Sequence, residues 1–203
     1  MSRDLATFIR HSNSRLAVLT GAGVSTDSGV PDYRGPRGIY KQRSDYKPIT
    51  YQQFMSSESF RRRYWARSYL GWPRISHALP NETHATLSRL QMSGHIQSLM
   101  TQNVDGLHTA SGSQNILELH GSLHYIQCQG CGHISKRTQM QDRLTRLNPI
   151  VHEWAQRYPD AFKGDVASSS NPDGDVDISW NYSDFAVPSC DLCGSVLKPG
   201  YAF

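Results

Sequence analysis

The stretch that decides the fold is Arg15-Leu-Ala-Val-Leu-Thr20 followed by Gly21-Ala-Gly-Val-Ser-Thr-Asp-Ser-Gly29. An apolar run of this length, ended by glycine, predicts a buried strand that leads into a turn and a helix. Glycines there let a backbone approach a pyrophosphate, and a helix N-terminus adds its dipole. The spacing of the glycines in residues 21–29 matches neither the ordinary dinucleotide-binding fingerprint nor a Walker loop. The stretch predicts nucleotide binding, with an ordinary strand-to-helix turn, capped by Ser25 or Thr26, as the alternative.

Two further apolar runs predict strands of the same kind. Ile96-Gln-Ser-Leu-Met-Thr101 and Asn115-Ile-Leu-Glu-Leu-His120 are both short and both end on polar residues or glycine. Helical stretches, roughly 4–11, 54–68 and 83–93, precede or separate the three runs. Strands that alternate with helices predict an α/β fold with a parallel sheet. The chemistry of such a sheet lies at the carboxyl ends of its strands.

Polar side chains stand where the second and third strands end. Gln102, Asn103 and Asp105 offer amide and carboxylate groups suited to ribose hydroxyls or a carboxamide. His120 follows the third strand, and a histidine can take up a proton near neutral pH, as a general base must. Each has a simpler interpretation: Asn103 as a turn residue, Asp105 as a helix cap and His120 as a core histidine. Three polar clusters at successive strand ends together favour a site.

The four cysteines form two matched pairs, Cys128-x-x-Cys131 and Cys190-x-x-Cys193, separated by residues 132–189. Each pair places two thiolates within reach of one ion, and two pairs complete a tetrahedral Zn²⁺ site. Four sulfur ligands leave no open position, so the ion is expected to be structural. Free buried cysteines and a redox pair are the alternatives.

The stretch from about Gln127 to Gly194 differs in sequence pattern from the alternating strands and helices that precede it. This stretch opens and closes with a cysteine pair, which indicates a small domain inserted after the sheet. Within it, Ser168-Ser-Ser-Asn-Pro-Asp-Gly-Asp175 is polar and predicts a surface loop.

Composition excludes several classes of protein. The chain of 203 residues has 21 Lys plus Arg against 17 Asp plus Glu, a formal charge of only +4, so no nucleic-acid partner is predicted. A zinc-ribbon nucleic-acid binder is disfavoured further because basic and aromatic residues do not alternate around the cysteines. No apolar stretch approaches the ~20 residues of a membrane span. The sequence fixes no oligomeric state.

These motifs, in this order, resemble the sirtuin family of NAD-dependent protein-lysine deacylases. The resemblance covers essentially the whole chain. It rests on Gly21-Ala-Gly-Val-Ser25, Pro31-Asp-Tyr-Arg34, Thr101-Gln-Asn-Val-Asp-Gly-Leu-His108, Leu119-His-Gly-Ser122 and the two cysteine pairs.

Other motifs are most similar to the class II branch of that family. They are Ser25-Thr26, Tyr33, Arg63-Tyr-Trp-Ala-Arg67 and Gly71-Trp72-Pro73. The branch implies the mitochondrial matrix, with cytoplasm or nucleus as alternatives, although no presequence is visible before the first strand.

The resemblance implies a Rossmann-type NAD domain over residues 1–126, with a helical insertion at about 35–93. A small zinc domain would span 127–195, and 196–203 would begin the return to the first domain. Acyl-lysine protein substrates would bind in the cleft between the domains.

The resemblance also implies the reaction and the residues that serve it. The acyl oxygen attacks the ribose carbon, nicotinamide leaves, and free lysine and O-acyl-ADP-ribose result; some relatives transfer ADP-ribose to protein instead. His120 would be the base and the four cysteines would bind zinc. The cofactor would contact Gly21, Ala22, Gly23, Ser25, Thr26, Asp32, Tyr33, Arg34, Tyr40, Gln102, Asn103 and Asp105.

The acyl preference is linked to Tyr64 and Arg67. They stand three residues apart on one face of a predicted helix. Such a pair could hold a carboxylated acyl chain by charge-assisted hydrogen bonds, as in deacylases that act on acidic acyl groups. Alternatively, both side chains merely pack or face water.

The final residues, Val196-Leu-Lys-Pro-Gly-Tyr-Ala-Phe203, depart from the family pattern. There the lysine-proline is followed by an acidic residue, an apolar strand and roughly seventy further residues that complete the sheet. Here Gly200 replaces the acid. We therefore expect these 203 residues, taken alone, to bind NAD poorly and to be inactive or unstable, a zinc- and NAD-binding module without turnover.

Overall fold

The chain folds into two small sheets joined and covered by helices. The computed structural model describes residues 2–12, 16–36, 38–42, 47–158, 171–176 and 181–202. Arg15, Ser168 to Ser170 and Phe203, which the sequence-based predictions included, lie outside the described residues.

The elements follow one another in this order. They are α1 (Ser2–His11), β1 (Leu16–Thr20), a 3-10 helix (Ala22–Ser28), α2 (Ile39–Gln42), α3 (Tyr51–Ser56), α4 (Glu58–Ser76), α5 (Glu82–Met92), β2 (Ile96–Thr101), α6 (Leu107–Ala110), β3 (Ile116–Glu118), β4 (Gly121–Cys128), β5 (Ile134–Lys136), α7 (Arg137–Leu147), α8 (Pro149–Arg157) and β6 (Leu197–Tyr201).

The first sheet is the parallel sheet that the sequence predicts. Its order is β1-β2-β3, and Thr20, Thr101 and Glu118 lie level with one another at the carboxyl ends. Full burial, however, is wrong for the two outer strands. Side chains of β1 alternate between half-buried and exposed, and Leu117 of β3 is 56% exposed.

The predicted helix over 54–68 is two helices, and the second one continues to Ser76. α4 runs through Pro73, which lacks the N–H that would otherwise bond to the carbonyl of Tyr69. The side-chain amide of Gln141 in α7 donates to that carbonyl at 3.0 Å instead. A contact from another helix thus satisfies the group that the proline leaves unpaired.

The second sheet is antiparallel, in the order β5-β4-β6. Its apolar side packs with α4 and α7 around a core that contains Trp65, Ile126 and Leu144. Arg137 is buried in this core between two indoles, its guanidinium carbon 4.7 Å from the ring centre of Trp72 and 5.5 Å from that of Trp65. Helix α4 therefore contributes to this core and, through Trp72 and Ile75, to a second apolar cluster that contains Val104 and Leu107.

The polar segment 171–176 is not the surface loop that its composition predicts. Asn171 and Asp175 are 1% and 6% exposed, and the segment lies directly on α4. A β-carbon on Gly71 of α4 would stand 2.2 Å from the carbonyl oxygen of Gly174, so only glycine permits this approach. The surface-loop prediction is wrong for this described half of the segment.

The domain boundaries stay a prediction. In the part of the chain that the structure describes, none of the helices combines the length and apolar character needed to cross a membrane.

Candidate active site and cysteine cluster

The carboxyl ends of β1 and β2 are tied together by hydrogen bonds between neighbouring threonines. The Thr20 hydroxyl donates to Thr101 Oγ1 at 2.9 Å, and Thr101 Oγ1 accepts the backbone N–H of Asn103 at 3.0 Å. His108 Nε2 lies 2.8 Å from the Thr20 oxygen. These bonds fix the backbone that presents the predicted residues after β2.

Three predicted residues form a buried network beneath the glycine loop. Ser25, which has no exposed surface, donates to Asp105 Oδ2 at 2.7 Å. The amide of Asn103 donates to the Ser25 hydroxyl and to the carbonyl of Gly21, both at 3.1 Å. The other carboxylate oxygen of Asp105 accepts the N–H of Leu107 at 2.9 Å; Asp105 itself precedes the N-cap of α6, which is Gly106 and has no side-chain cap.

The N-cap of the 3-10 helix after β1 is Gly21, and no side chain caps this helix, so the capping alternative for Ser25 and Thr26 is wrong. Ser25 points inward to Asp105. Thr26 is exposed, and its hydroxyl donates to the carbonyl of Gly23 at 3.0 Å.

The loop that follows folds back on itself. Asp32 Oδ1 accepts the N–H of Gly35 at 3.1 Å, and the Asp32 carbonyl accepts the N–H of Ile39. The rings of Tyr33 and Tyr40 lie 5.8 Å apart, and the Arg34 guanidinium stands 6.0 Å from the Tyr40 ring centre. Burial, and then the charge of Asp173, raise the pKa of Tyr33 above its ordinary value.

A cavity of about 270 Å³ lies between this loop and the strand ends. The predicted residues that line it are Ala22, Tyr33 and Tyr40 on one side and Gln102, Asn103, Asp105 and His120 on the other. The remaining predicted cofactor residues do not line it: Gly21, Gly23, Ser25, Thr26, Asp32 and Arg34. Ser25 nevertheless touches the site through Asp105.

His120 is not the core histidine of the simpler interpretation, because it is exposed. Its Nδ1 lies 3.0 Å from the carbonyl oxygen of Gln102. A carbonyl only accepts, so Nδ1 carries a proton, and in the neutral ring Nε2 then keeps its lone pair. This is the tautomer that a base with a free Nε2 requires.

Sequence reasoning missed three residues of the site. Asp173, in the segment 171–176, and Tyr201, in β6, line the cavity. The third residue is His124, whose Nε2 donates to the Asp105 carbonyl at 2.8 Å. The Tyr201 hydroxyl donates to Asp173 Oδ2 at 3.5 Å. The aromatic residue that ends Val196-Leu-Lys-Pro-Gly-Tyr201 could have indicated Tyr201. Nothing local marks Asp173.

Tyr64 and Arg67 are both buried and both engaged within the protein. The hydroxyl oxygens of Tyr64 and Tyr201 lie 3.3 Å apart, and Arg67 forms an ion pair with Asp175 at 3.1 Å. Neither Tyr64 nor Arg67 lines the cavity.

The four cysteine sulfurs gather at one point, each within 4.8 Å of the others. Two of their separations, Cys128 to Cys193 and Cys131 to Cys190, are 3.4 and 3.8 Å. Tetrahedral Zn²⁺ with bonds of ~2.3 Å requires sulfurs about 3.8 Å apart, so the cluster fits this ion.

The two cysteine turns have the same backbone design. Gly132 and Gly194 both have positive φ, +73° and +71°, and each donates its N–H to the carbonyl of the first cysteine of its pair. Hydrogen bonds from Ser195 lower the pKa of the Cys193 thiol to about 6, which favours the thiolate that binds metal.

Comparison with known proteins now identifies the family, since the pattern of the Sir2 family matches residues 21–203. The chain belongs to the Sir2 family. It is 50% identical to "NAD-dependent protein deacylase SIR4" of Batrachochytrium dendrobatidis, over 98% of this chain and 66% of that protein. It is 43% identical to "NAD-dependent protein deacylase Sirt4" of Drosophila melanogaster, over 95% of this chain and 58% of the relative.

Solved Sir2 structures share the fold. A mutant Sir2 homologue in complex with ADP-ribose matches 100% of this chain and 64% of its own, with a TM-score of 0.67 and 27% identity. A Sir2 homologue in complex with NAD matches 100% and 62%, with a TM-score of 0.63 and 27% identity. The predicted fold class, a Rossmann-type parallel sheet with a four-cysteine unit, is confirmed for this Sir2 chain. The chain spans about two thirds of the length of the relatives that it matches.

Proposed function

We propose that this Sir2 chain carries the site of an NAD-dependent protein-lysine deacylase that releases nicotinamide and O-acyl-ADP-ribose. The observation that supports the proposal most directly is the cavity in which Asn103, Asp105 and His120 meet the glycine-loop residue Ala22. Bound NAD would supply a ribose carbon from which nicotinamide leaves. The relatives' names and the ADP-ribose and NAD complexes of the solved homologues support the same activity.

The residues that line the cavity would have different roles in the reaction, which follow from their side-chain chemistry. Asn103 and Asp105 are held rigidly by Ser25, and such fixed groups can orient a carboxamide and a ribose without reorganising. His120 is exposed to the cavity with Nε2 able to accept a proton from a ribose hydroxyl. The glycine loop provides the backbone surface for the pyrophosphate.

The cysteine cluster would hold one Zn²⁺ that stabilises the fold and takes no part in the chemistry. Its four sulfurs would complete the tetrahedral coordination of the ion and would leave no position open for substrate.

Replacing His120 tests the proposal. The His120→Tyr variant should release no nicotinamide from NAD and acyl-lysine peptide, while its zinc content stays that of the parent chain. His77→Tyr is the matched control, since His77 is also exposed with Nδ1 close to a carbonyl, that of Pro73, but stands outside the cavity. Undiminished deacylation by His120→Tyr would overturn the assignment.

The same assay separates two other activities. ADP-ribose attached to protein, with the acyl group retained, would indicate an ADP-ribosyltransferase. NAD binding without nicotinamide release would indicate a non-catalytic zinc and NAD module.

We further propose a mitochondrial location, supported only by relatives named Sirt4 and SIR4. Fractionation of cells that express the tagged protein would test this, and a purely cytoplasmic or nuclear signal would contradict it.

A further inference from the structure

The two cysteine turns are attached to the rest of the protein in different ways. The first turn begins at Cys128, the last residue of the central strand β4, whose N–H donates to the carbonyl of His133 at 2.9 Å across the hairpin. The second turn begins at Cys190 and lies in the segment 187–195, which the structure describes throughout and which contains no helix or strand. Its position therefore depends on contacts from side chains of other elements.

One side chain of α7 holds this segment on both sides of Cys190. A guanidinium nitrogen of Arg143 donates to the carbonyl of Ser189 at 2.6 Å and to Asp191 Oδ1 at 2.7 Å. Apart from the cysteine sulfurs, Arg143 is the only described residue outside the segment 187–195 that forms a hydrogen bond or an ion pair with it. The loss of Arg143 would therefore leave this turn without a polar attachment to the protein core.

Helix α7 gives Arg143 a firm base. The next residue, Leu144, has no exposed surface and belongs to the core of the second sheet. Two residues earlier, the Gln141 amide donates to the carbonyl of Tyr69 in α4. The Arg143 side chain itself is only 22% exposed. A cationic donor held on such a base forms charge-assisted hydrogen bonds in a fixed direction, and these keep the backbone next to Cys190 in place.

The bond to the Ser189 carbonyl should contribute more than the ion pair with Asp191. The Asp191 side chain is 75% exposed, and an ion pair at the surface contributes little because water and salt screen it. The Ser189 carbonyl belongs to the peptide group that joins Ser189 to the buried Cys190. A donor at this carbonyl therefore acts directly on the backbone that carries a metal ligand.

We propose that Arg143 is a positioning residue of the zinc site: it holds the second cysteine turn in the conformation that binds the metal, and it thereby slows zinc loss. A tetrahedral ion leaves when one cysteine turn moves away, and the second turn has fewer attachments than the first. The inference rests on zinc binding by the four cysteines, which is part of the proposed function, and it does not depend on the deacylase reaction.

The test measures how fast the zinc-loaded chain transfers its ion to an excess of a chromophoric chelator. Groups that orient metal ligands from outside the coordination shell change metal affinity about 10–100-fold when they are removed, so we expect Arg143→Gln to release zinc about tenfold faster. Asp191→Asn, which removes only the screened ion pair, should change the rate by no more than about threefold. Release from Arg143→Gln at the rate of the parent chain would overturn the proposal.

Arg146→Gln is the matched control for the change of charge. Arg146 lies on the same helix three residues later and is exposed. The substitution removes the same guanidinium from α7 but leaves the bonds to Ser189 and Asp191 intact, so the rate of zinc release should stay within about twofold of the parent chain. Equal acceleration by Arg146→Gln and Arg143→Gln would show an effect of net charge alone and would overturn the proposal.

Alkylation of the cysteines separates a local effect on the second turn from a general loss of stability. Cys128 and Cys190 are both buried, so they form a matched pair. With zinc and iodoacetamide present, Arg143→Gln should raise the labelling rate of Cys190, relative to that of Cys128, by about threefold or more, as mass spectrometry of the peptides would show. An equal rise at both cysteines would show that the substitution loosens the whole unit, and it would overturn the positioning role.

Arg143→Lys keeps the proposal falsifiable if Arg143→Gln does not fold. Lysine keeps the positive charge, but its ammonium lacks the planar fork of the guanidinium. We expect its zinc release to be faster than that of the parent chain, with Cys190 again labelled before Cys128. Release and labelling identical to the parent chain would overturn the proposal. Atomic absorption on the parent chain distinguishes the two levels of failure, because a chain that binds no zinc would refute the zinc site itself and the inference with it.

Discussion

Removing one hydroxyl, that of Ser25, should destabilise the whole site. This hydroxyl donates to Asp105 Oδ2 at 2.7 Å and accepts the Asn103 amide at 3.1 Å. Ser25 has no exposed surface, so water cannot replace either bond without a rearrangement of the loop. In Ser25→Ala, the Asp105 carboxylate keeps its bond from the N–H of Leu107, and the Asn103 side-chain amide keeps its bond to the carbonyl of Gly21.

The expected magnitude follows from the kind of bond that is lost. A hydrogen bond to a charged group contributes about 1.5–3 kcal/mol to stability, and a buried group left unpaired costs a similar amount. We therefore expect the free energy of unfolding to fall by about 2–3 kcal/mol. For a chain of this size, 1 kcal/mol lowers Tm by about 2–4 °C, so Tm should drop by about 4–12 °C.

Thr26→Ala is the control, because it removes the neighbouring hydroxyl from an exposed side chain. Its bond is to the carbonyl of Gly23 within the same turn, and the loss should stay within about 0.5 kcal/mol. Urea unfolding followed by tryptophan fluorescence measures both variants. Equal effects of the two substitutions would refute the argument that Ser25 is the centre of a buried network.

Three further predictions concern metal, helix and pH. Chelation of the metal, or the substitution Cys193→Ser, should remove one zinc per chain and lower Tm. Atomic absorption measures the zinc and thermal unfolding measures Tm. A zinc-free chain with unchanged Tm would contradict a structural role for the site. Gln141→Leu should lower the free energy of unfolding, measured in urea, by about 1–3 kcal/mol, because the carbonyl of Tyr69 loses its hydrogen-bond donor. A decrease below about 0.5 kcal/mol would mean that water donates to this carbonyl in place of the Gln141 amide. Burial, and then the charge of His84, lower the pKa of His108 to about 4, below its unfolded value of about 6.5. Between these two pKa values the unfolded chain binds more protons than the folded chain. The free energy of unfolding should therefore fall as pH drops from about 6.5 to about 4, and His108→Gln should make it less dependent on pH in this range.

The strand ends could be predicted because local pattern and sheet geometry determine them together. A short apolar run followed by polar residues is visible in the sequence, and parallel strands bring their carboxyl ends to one edge. The sequence therefore predicts that Asn103 and the glycine loop lie at the same edge of the sheet. The partner of each side chain was not predictable. That Ser25 bonds to Asp105 rather than capping the helix depends on the turn being 3-10 and on β1 pairing with β2.

The surface-loop prediction for the segment 171–176 is wrong because the residues that bury the segment lie about a hundred positions earlier in the chain. Its asparagine, aspartates and glycine have the composition of a surface turn. Arg67 reverses that preference by pairing with Asp175, and Gly71 lets the backbone come close enough for the pair to form. A local pattern cannot encode a compensation of charge between distant segments. The same long-range contact that defeats prediction of the loop also holds Arg67 in a buried ion pair, so the burial of the loop and the burial of Arg67 have a single physical origin.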